Sequence, residues 1–314
     1  MFKKTALALS VMLAAAPAWA EWPEKSIELI VAYSPGGGTD ITARVLQPLL
    51  EKELGQKVVV INRPGAGGEI GHAALANAKA DGYTMGIVNI PPMLTIPITR
   101  KASFATDDIQ PVAGLVQDPS ALSVPASSPF LTLDELVAFA KKNPGAITVG
   151  TTGVGTDDHL AVRYLAQAAG IEVTHVPFAG AGPVRTALIG GHISAAALNL
   201  GEAMPAATEG QVRILAQFGE DISELAPDVA TVQSLGYDVT MLSERGIGLP
   251  KSVDPAIVEK LAAAIGRVAA NEEFKSRNRE LYTEVVYKTT SDFSAHVKEL
   301  ETAYKTMWEQ APWQ

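Results

Sequence analysis

The amino-acid sequence predicts an α/β protein of two lobes with mostly parallel sheets. Short apolar, β-branched runs alternate with stretches whose apolar residues recur at helical spacing, the pattern of strand–helix–strand units. Four of the strands run straight into glycine-rich loops that open a helix. The chain of 314 residues without cysteine is long enough for two hydrophobic cores and has no disulfides to staple a smaller one.

The first twenty residues stand apart from that pattern. Lys3 and Lys4 precede an apolar stretch from Thr5 to Ala16, and Ala18-Trp19-Ala20 forms an A-x-A cleavage site before Glu21. This is the pattern of a secretory signal peptide over 1–20, because an apolar core that short cannot cross about 30 Å of hydrocarbon. No cysteine follows to carry a lipid. The mature chain, 294 residues with the formal charge of −9 moved to −11 by loss of two lysines, is therefore expected free in an extracytoplasmic space. That acidity, with no basic run, excludes a nucleic-acid surface and a polybasic membrane patch.

Residues 27–33 (IELIVAY) read as a buried strand. The stripe Ile41, Val45, Leu46, Leu49, Leu50 and Leu54 reads as the helix that follows. Strands over 57–61 and 84–88 flank a helix over 68–78. From 90 to 129 prolines recur, so loops and one extended crossing near 112–124 are expected there. Thr132 and Glu135 form a capping box with Leu131 and Leu136 spaced for a hydrophobic staple, and Asn143-Pro144-Gly145 ends that helix. Strands at 147–150, 172–176, 193–198 and 213–217 follow, with helical stretches between them. The return crossing is expected within 217–250. Asp254-Pro255 opens a further helix, and Phe293, Val297, Leu300, Tyr304 and Trp308 mark the last. The expected division is lobe 1 over 21–115 and 222–314, and lobe 2 over 116–221.

The four junctions are 33–40 (YSPGGGTD), 62–68 (NRPGAGG), 150–157 (GTTGVGTD) and 177–182 (PFAGAG). Glycine lets backbone approach a ligand closely, and the helix starts behind it offer unpaired N–H groups and a positive dipole end. Facing one cleft, such ends make an anion site without a basic side chain. The bland alternative is that these are ordinary tight turns. Asp40 either caps its helix or faces the cleft, and Tyr33 either lines the site or packs. Asp157 and Asp158 fit helix-capping positions, but Asp157 in the cleft would favour a ligand carrying an amine, amide or hydroxyl.

Other chemistries lack their residues. There is no G-x-x-x-x-G-K-[ST], no G-x-S-x-G and no H-E-x-x-H. The glycines of 65–71 miss the dinucleotide spacing, and the following strand ends in Asn89 where such sites place an acid. The five histidines are scattered. No cofactor and no metal are expected.

Several motifs in order resemble one family: Pro35-Gly36-Gly37 with Asp40 and Ala43-Arg44, residues 62–68, Ala80-Asp81-Gly82-Tyr83-Thr84, 153–160, His175 to Pro183 (HVPFAGAGP) and Leu188 to His192 (LIGGH). The whole mature chain is similar to the Bug-type periplasmic solute-binding proteins, receptors of tripartite tricarboxylate transporters. The resemblance implies a type II periplasmic-binding fold closing by a hinge on a small organic carboxylate, delivery to a two-subunit membrane permease, and a monomer. A sensor for a membrane signalling system is the alternative, a secreted enzyme the weaker one. Mapped onto this chain, the implied ligand residues are Tyr33, Ser34, Gly36, Gly37, Thr39, Asp40, Gly67, Gly68 and Asn89 in lobe 1. Those in lobe 2 are Thr152, Gly155, Thr156, Asp157, Gly180 and Asn199. Asp157 and Asp158 depart from the family, where small hydroxyl residues are usual.

Overall fold

A computed structural model describes residues 22–313; the signal-peptide expectation lies outside them. The chain starts with β1 (Ile27–Val31), α1 (Gly38–Leu54), β2 (Val58–Asn62), α2 (Glu69–Ala76) and β3 (Thr84–Ile90). Only Glu28 of β1 is exposed, and α1 buries Val45, Leu46, Leu49, Leu50 and Leu54 against it, as the apolar spacing requires. Next comes α3 (Pro92–Thr99), where the sequence reading placed loops. Its prolines misled that reading: Pro92 sits in the first turn, where a missing N–H costs nothing, and only Pro97 removes an internal bond.

The expected crossing is β4 (Ile109–Pro125), seventeen residues long. After it come α4 (Leu133–Lys142), β5 (Thr148–Thr151), α5 (Asp157–Ala169), β6 (Thr174–Pro177), α6 (Ala181–Ile189), β7 (Ala195–Asn199), α7 (Leu200–Thr208) and β8 (Val212–Gln217). The Thr132 capping box forms, with Thr132 Oγ1 accepting the Glu135 N–H at 3.2 Å. The staple does not, since Leu131 is 60% exposed. The chain then reaches β9 (Leu242–Pro250), α8 (Pro255–Ala270), α9 (Glu272–Glu280), β10 (Glu284–Lys288) and α10 (Thr290–Gln310). Neither α9 nor β10 was expected. The first carries one buried apolar side chain, Phe274, in a run of charges, and the second is a short strand on the edge of its sheet.

The strands form two mixed sheets that share β4. The first runs β2-β1-β3-β9-β4-β10, the second β6-β5-β7-β4-β8. Pairing is parallel among β2, β1 and β3 and among β6, β5 and β7, and antiparallel wherever β4 or β9 takes part. One half of β4 pairs with β9 and β10, the other with β7 and β8. A cluster around Leu29, Leu46, Ile247, Leu261 and Ile265 fills one face of the first sheet. A second cluster runs from Val88 and Ile109 through Leu122 to Leu136 and Leu160, tying the two sheets together. The carboxyl ends of β1, β3, β5 and β7 meet between them, the position at which such sheets bind ligands.

Candidate functional site

The wall given by the first sheet begins where β1 turns into α1. Gly36 has φ +80°, a left-handed conformation that a side chain would strain. Asp40 stabilises this turn: its carboxylate accepts from Gly36 N–H, Arg44 Nε and Asn62 Nδ2, each at 2.9 Å. Burial opposes the charge, but those hydrogen bonds outweigh it and hold the carboxyl below its usual range. Asp40 therefore braces its own loop and does not line the cleft. Tyr33 does, its hydroxyl donating to Gly67 O at 3.0 Å. Asn89, at the end of β3, donates to Thr39 Oγ1 at 2.8 Å, while its Oδ1 is buried without a partner.

The opposite wall is polar and fully buried. Thr156 caps α5, accepting from His159 N–H at 3.3 Å, so Asp157 occupies the first helical position. Asp157 Oδ2 accepts from Asn199 Nδ2 at 2.6 Å and Ser120 Oγ at 3.0 Å. Asn199 Oδ1 in turn accepts from Arg245 Nη2 at 2.8 Å, and Arg245 Nη1 lies 3.3 Å from Asp118 Oδ2. Glu202, three residues into α7, accepts Asn199 N–H at 3.3 Å through Oε2 and reaches across to Gly38 N–H, 2.6 Å from Oε1. A side-chain carboxylate thus caps the amino end of α1.

Three carboxyl groups, Asp118, Asp157 and Glu202, share the single guanidinium of Arg245. Burial raises the Asp118 carboxyl to about 7 despite that neighbour. Burial also raises Asp157, against the lowering effect of Asn199 and Arg245. Asp158 lies behind the wall, bonded to Thr152 Oγ1 at 2.6 Å, and is pushed well up by burial and then by Asp157.

The two walls touch. Ser34 Oγ donates to Ala179 O at 3.0 Å and Thr95 Oγ1 to Gly155 O at 2.5 Å. A Cβ on Gly67 would lie 2.8 Å from Val154 O, and one on Gly153 2.6 Å from Gly67 Cα. The residual cavity of about 20 Å³ has room for roughly one water. Tyr33, Gly37, Thr39, Asn89, Thr152, Asp157 and Asn199 line it, among the residues singled out from sequence. Ser34, Gly67, Gly155 and Gly180 instead make the contacts between walls. Gly36, Gly68 and Thr156 shape the loops, and Asp40 is turned away.

Sequence reasoning missed Gly38, Ala181, Glu202, Ser243 and Arg245, which complete the lining. Two signals were there to be read. Asn199-x-x-Glu202 has capping-box spacing at the start of a helix. Arg245 is a charge inside an otherwise buried strand, where a charge needs a partner. The sequence reading expects an anion site built without a basic side chain; the structure adds the Arg245 guanidinium to the cavity lining. Among the described residues no group of His, Asp and Glu is placed to hold a metal ion, and no helix is long and apolar enough to cross a membrane.

Residues 42–310 match the family described as "Tripartite tricarboxylate transporter family receptor". The UPF0065 protein in the gbd 5' region of Cupriavidus necator is 34% identical over 302 residues, covering 95% of this chain and 92% of that one. The structure of periplasmic binding protein BugD is similar with TM-score 0.87 and 26% identity, over 92% of this chain and 98% of BugD. R. palustris Rpa4515, solved with adipate, gives 0.87 and 26% over 92% and 97%. MatC from Rhodopseudomonas palustris, solved with bound malate, gives 0.85 and 25% over 92% and 99%. The chain belongs to the tripartite tricarboxylate transporter receptors, Bug-type solute-binding proteins that are substrate-binding receptors and not enzymes.

Proposed function

We propose that this chain is a periplasmic receptor that captures one small organic carboxylate in the cleft between its two lobes and delivers it to a two-subunit membrane permease. The observation that carries this reading is the buried Arg245 guanidinium in the cavity wall beside the amino end of α1, two features that favour an anion. The adipate and malate in the relatives Rpa4515 and MatC support the ligand class. Each hydrogen bond to a charged group contributes roughly 1.5–3 kcal/mol, so a guanidinium and a few backbone N–H groups reach the roughly −8 kcal/mol of a micromolar complex after ordering costs. Lobe 1 is taken as 21–115 with 222–314 and lobe 2 as 116–221. Ligand entry separates them, and closure brings both walls onto the ligand.

The reading has two separable tests. A thermal-shift screen of mono-, di- and tricarboxylates on the purified protein should find a compound that raises the melting temperature; no response to any carboxylate contradicts the receptor. A deletion strain should then lose uptake of that labelled compound. Binding with normal uptake contradicts delivery and favours a sensor.

A further inference from the structure

We infer that the ligand carries one carboxylate and one ammonium group, an amino-carboxylate, and that Asp157 and Glu202 select it against dicarboxylates. The inference rests on the carboxylate-receptor reading and narrows it. Both acids line the cavity and both are at least nine-tenths buried. Glu202 already holds the Gly38 N–H of α1 and Asp118 already holds Arg245, so three carboxyl groups share one guanidinium, and the burial that raises Asp118 and Asp157 leaves their ionised forms short of positive charge. A ligand carboxylate can displace Glu202 from α1 or bond Arg245, but a second one meets Asp157 in a desolvated site. Like charges brought together there cost far more than they do in water.

The unfilled hydrogen-bonding capacity points the same way. Asp157 accepts from Ser120 and Asn199 through the same oxygen, Oδ2. Asn89, 4% exposed and lining the opposite wall, has a buried Oδ1 without a partner. A carboxyl group and an amide with an unpartnered oxygen therefore line one cavity from opposite walls. A carboxylate offers them only further acceptors, whereas an ammonium offers three N–H donors and a positive charge. Within a receptor family whose relatives Rpa4515 and MatC hold dicarboxylates, a negative side chain at the start of α5 is a means of rejecting them.

Calorimetric titration of the full mature protein with matched pairs tests this: β-alanine against succinate, γ-aminobutyrate against glutarate, glutamine against glutamate, extended over graded chain lengths. The expected result is that in the pairs that bind, the member with one carboxylate binds at least about tenfold more tightly. Asp157→Asn should narrow that ratio by about tenfold, weakening the amino-carboxylate and strengthening the dicarboxylate. Glu202→Gln, a second isosteric change, should narrow it as well and serves if Asp157→Asn does not fold. Equal or tighter binding of the dicarboxylates overturns the inference and leaves the receptor reading standing. Saturable binding of no carboxylate at all overturns the receptor reading itself.

Discussion

Arg245 has a side chain 1% exposed and reaches the cavity with Asp118 and Asn199 bonded to it. Removing one partner of a buried pair leaves the other uncompensated, so Arg245→Met should cost about 3–5 kcal/mol of stability in urea unfolding and weaken carboxylate binding at least about tenfold. Full affinity in that variant would show that the anion lies elsewhere. His72 makes a prediction of a different kind. Burial lowers its imidazole to about 4, against about 6.5 for the free side chain. A depressed base stabilises the fold fully above pH 6.5, and that contribution is lost as pH falls towards 4, where only the unfolded chain takes up the proton. The shift sets an upper bound of about 3 kcal/mol. His72→Gln should accordingly show a smaller fall in melting temperature than the parent between pH 7 and pH 4.5; an unchanged fall means the imidazole is not desolvated.

At the scale of elements, the glycine-rich junctions do two jobs that sequence spacing does not separate. Some shape helix starts, as at Gly36, and others let the two walls meet, as at Gly67 and Gly153. Gly67→Val places a branched side chain where a Cβ alone is 2.8 Å from Val154 O, at φ +70°. It should weaken ligand binding at least about tenfold by holding the walls apart, while far-UV circular dichroism stays native. Thr132→Ala is the contrasting case. The capping box lies on α4, outside the cavity lining, so its loss should cost about 1 kcal/mol of stability and leave affinity unchanged. The strands and helices with a clear apolar period were legible from the sequence, because burial on one face dictates that period. Less legible were α3, whose prolines fall where a short helix tolerates them, and α9 and β10, which pack only one face or one edge.

For the molecule as a whole, β4 gives one half of its length to each sheet, and β9 brings the chain back beside it. These strands bring the most distant parts of the sequence together at the cavity: Asn89 from β3, Asp157 from α5, Glu202 from α7 and Arg245 from β9. That is why part of the lining was legible and part was not. Asp157 sits in a glycine-rich junction and Asn199 at a strand end, whereas Glu202 enters the site by reaching Gly38, 164 residues away, and Arg245 stands in a strand that opens no such junction. If the lobes hinge, small-angle scattering should record a smaller radius of gyration at saturating ligand; an unchanged radius would mean the cleft does not close on it. The most direct test of a carboxylate held between the two walls is a crystal structure of the protein with the tightest-binding compound of the titrations. The expected density lies in the cleft, with the carboxylate on Arg245 or on the α1 N–H that Glu202 otherwise caps. A ligand bound outside the cleft, with Glu202 still seated on Gly38, would contradict the account.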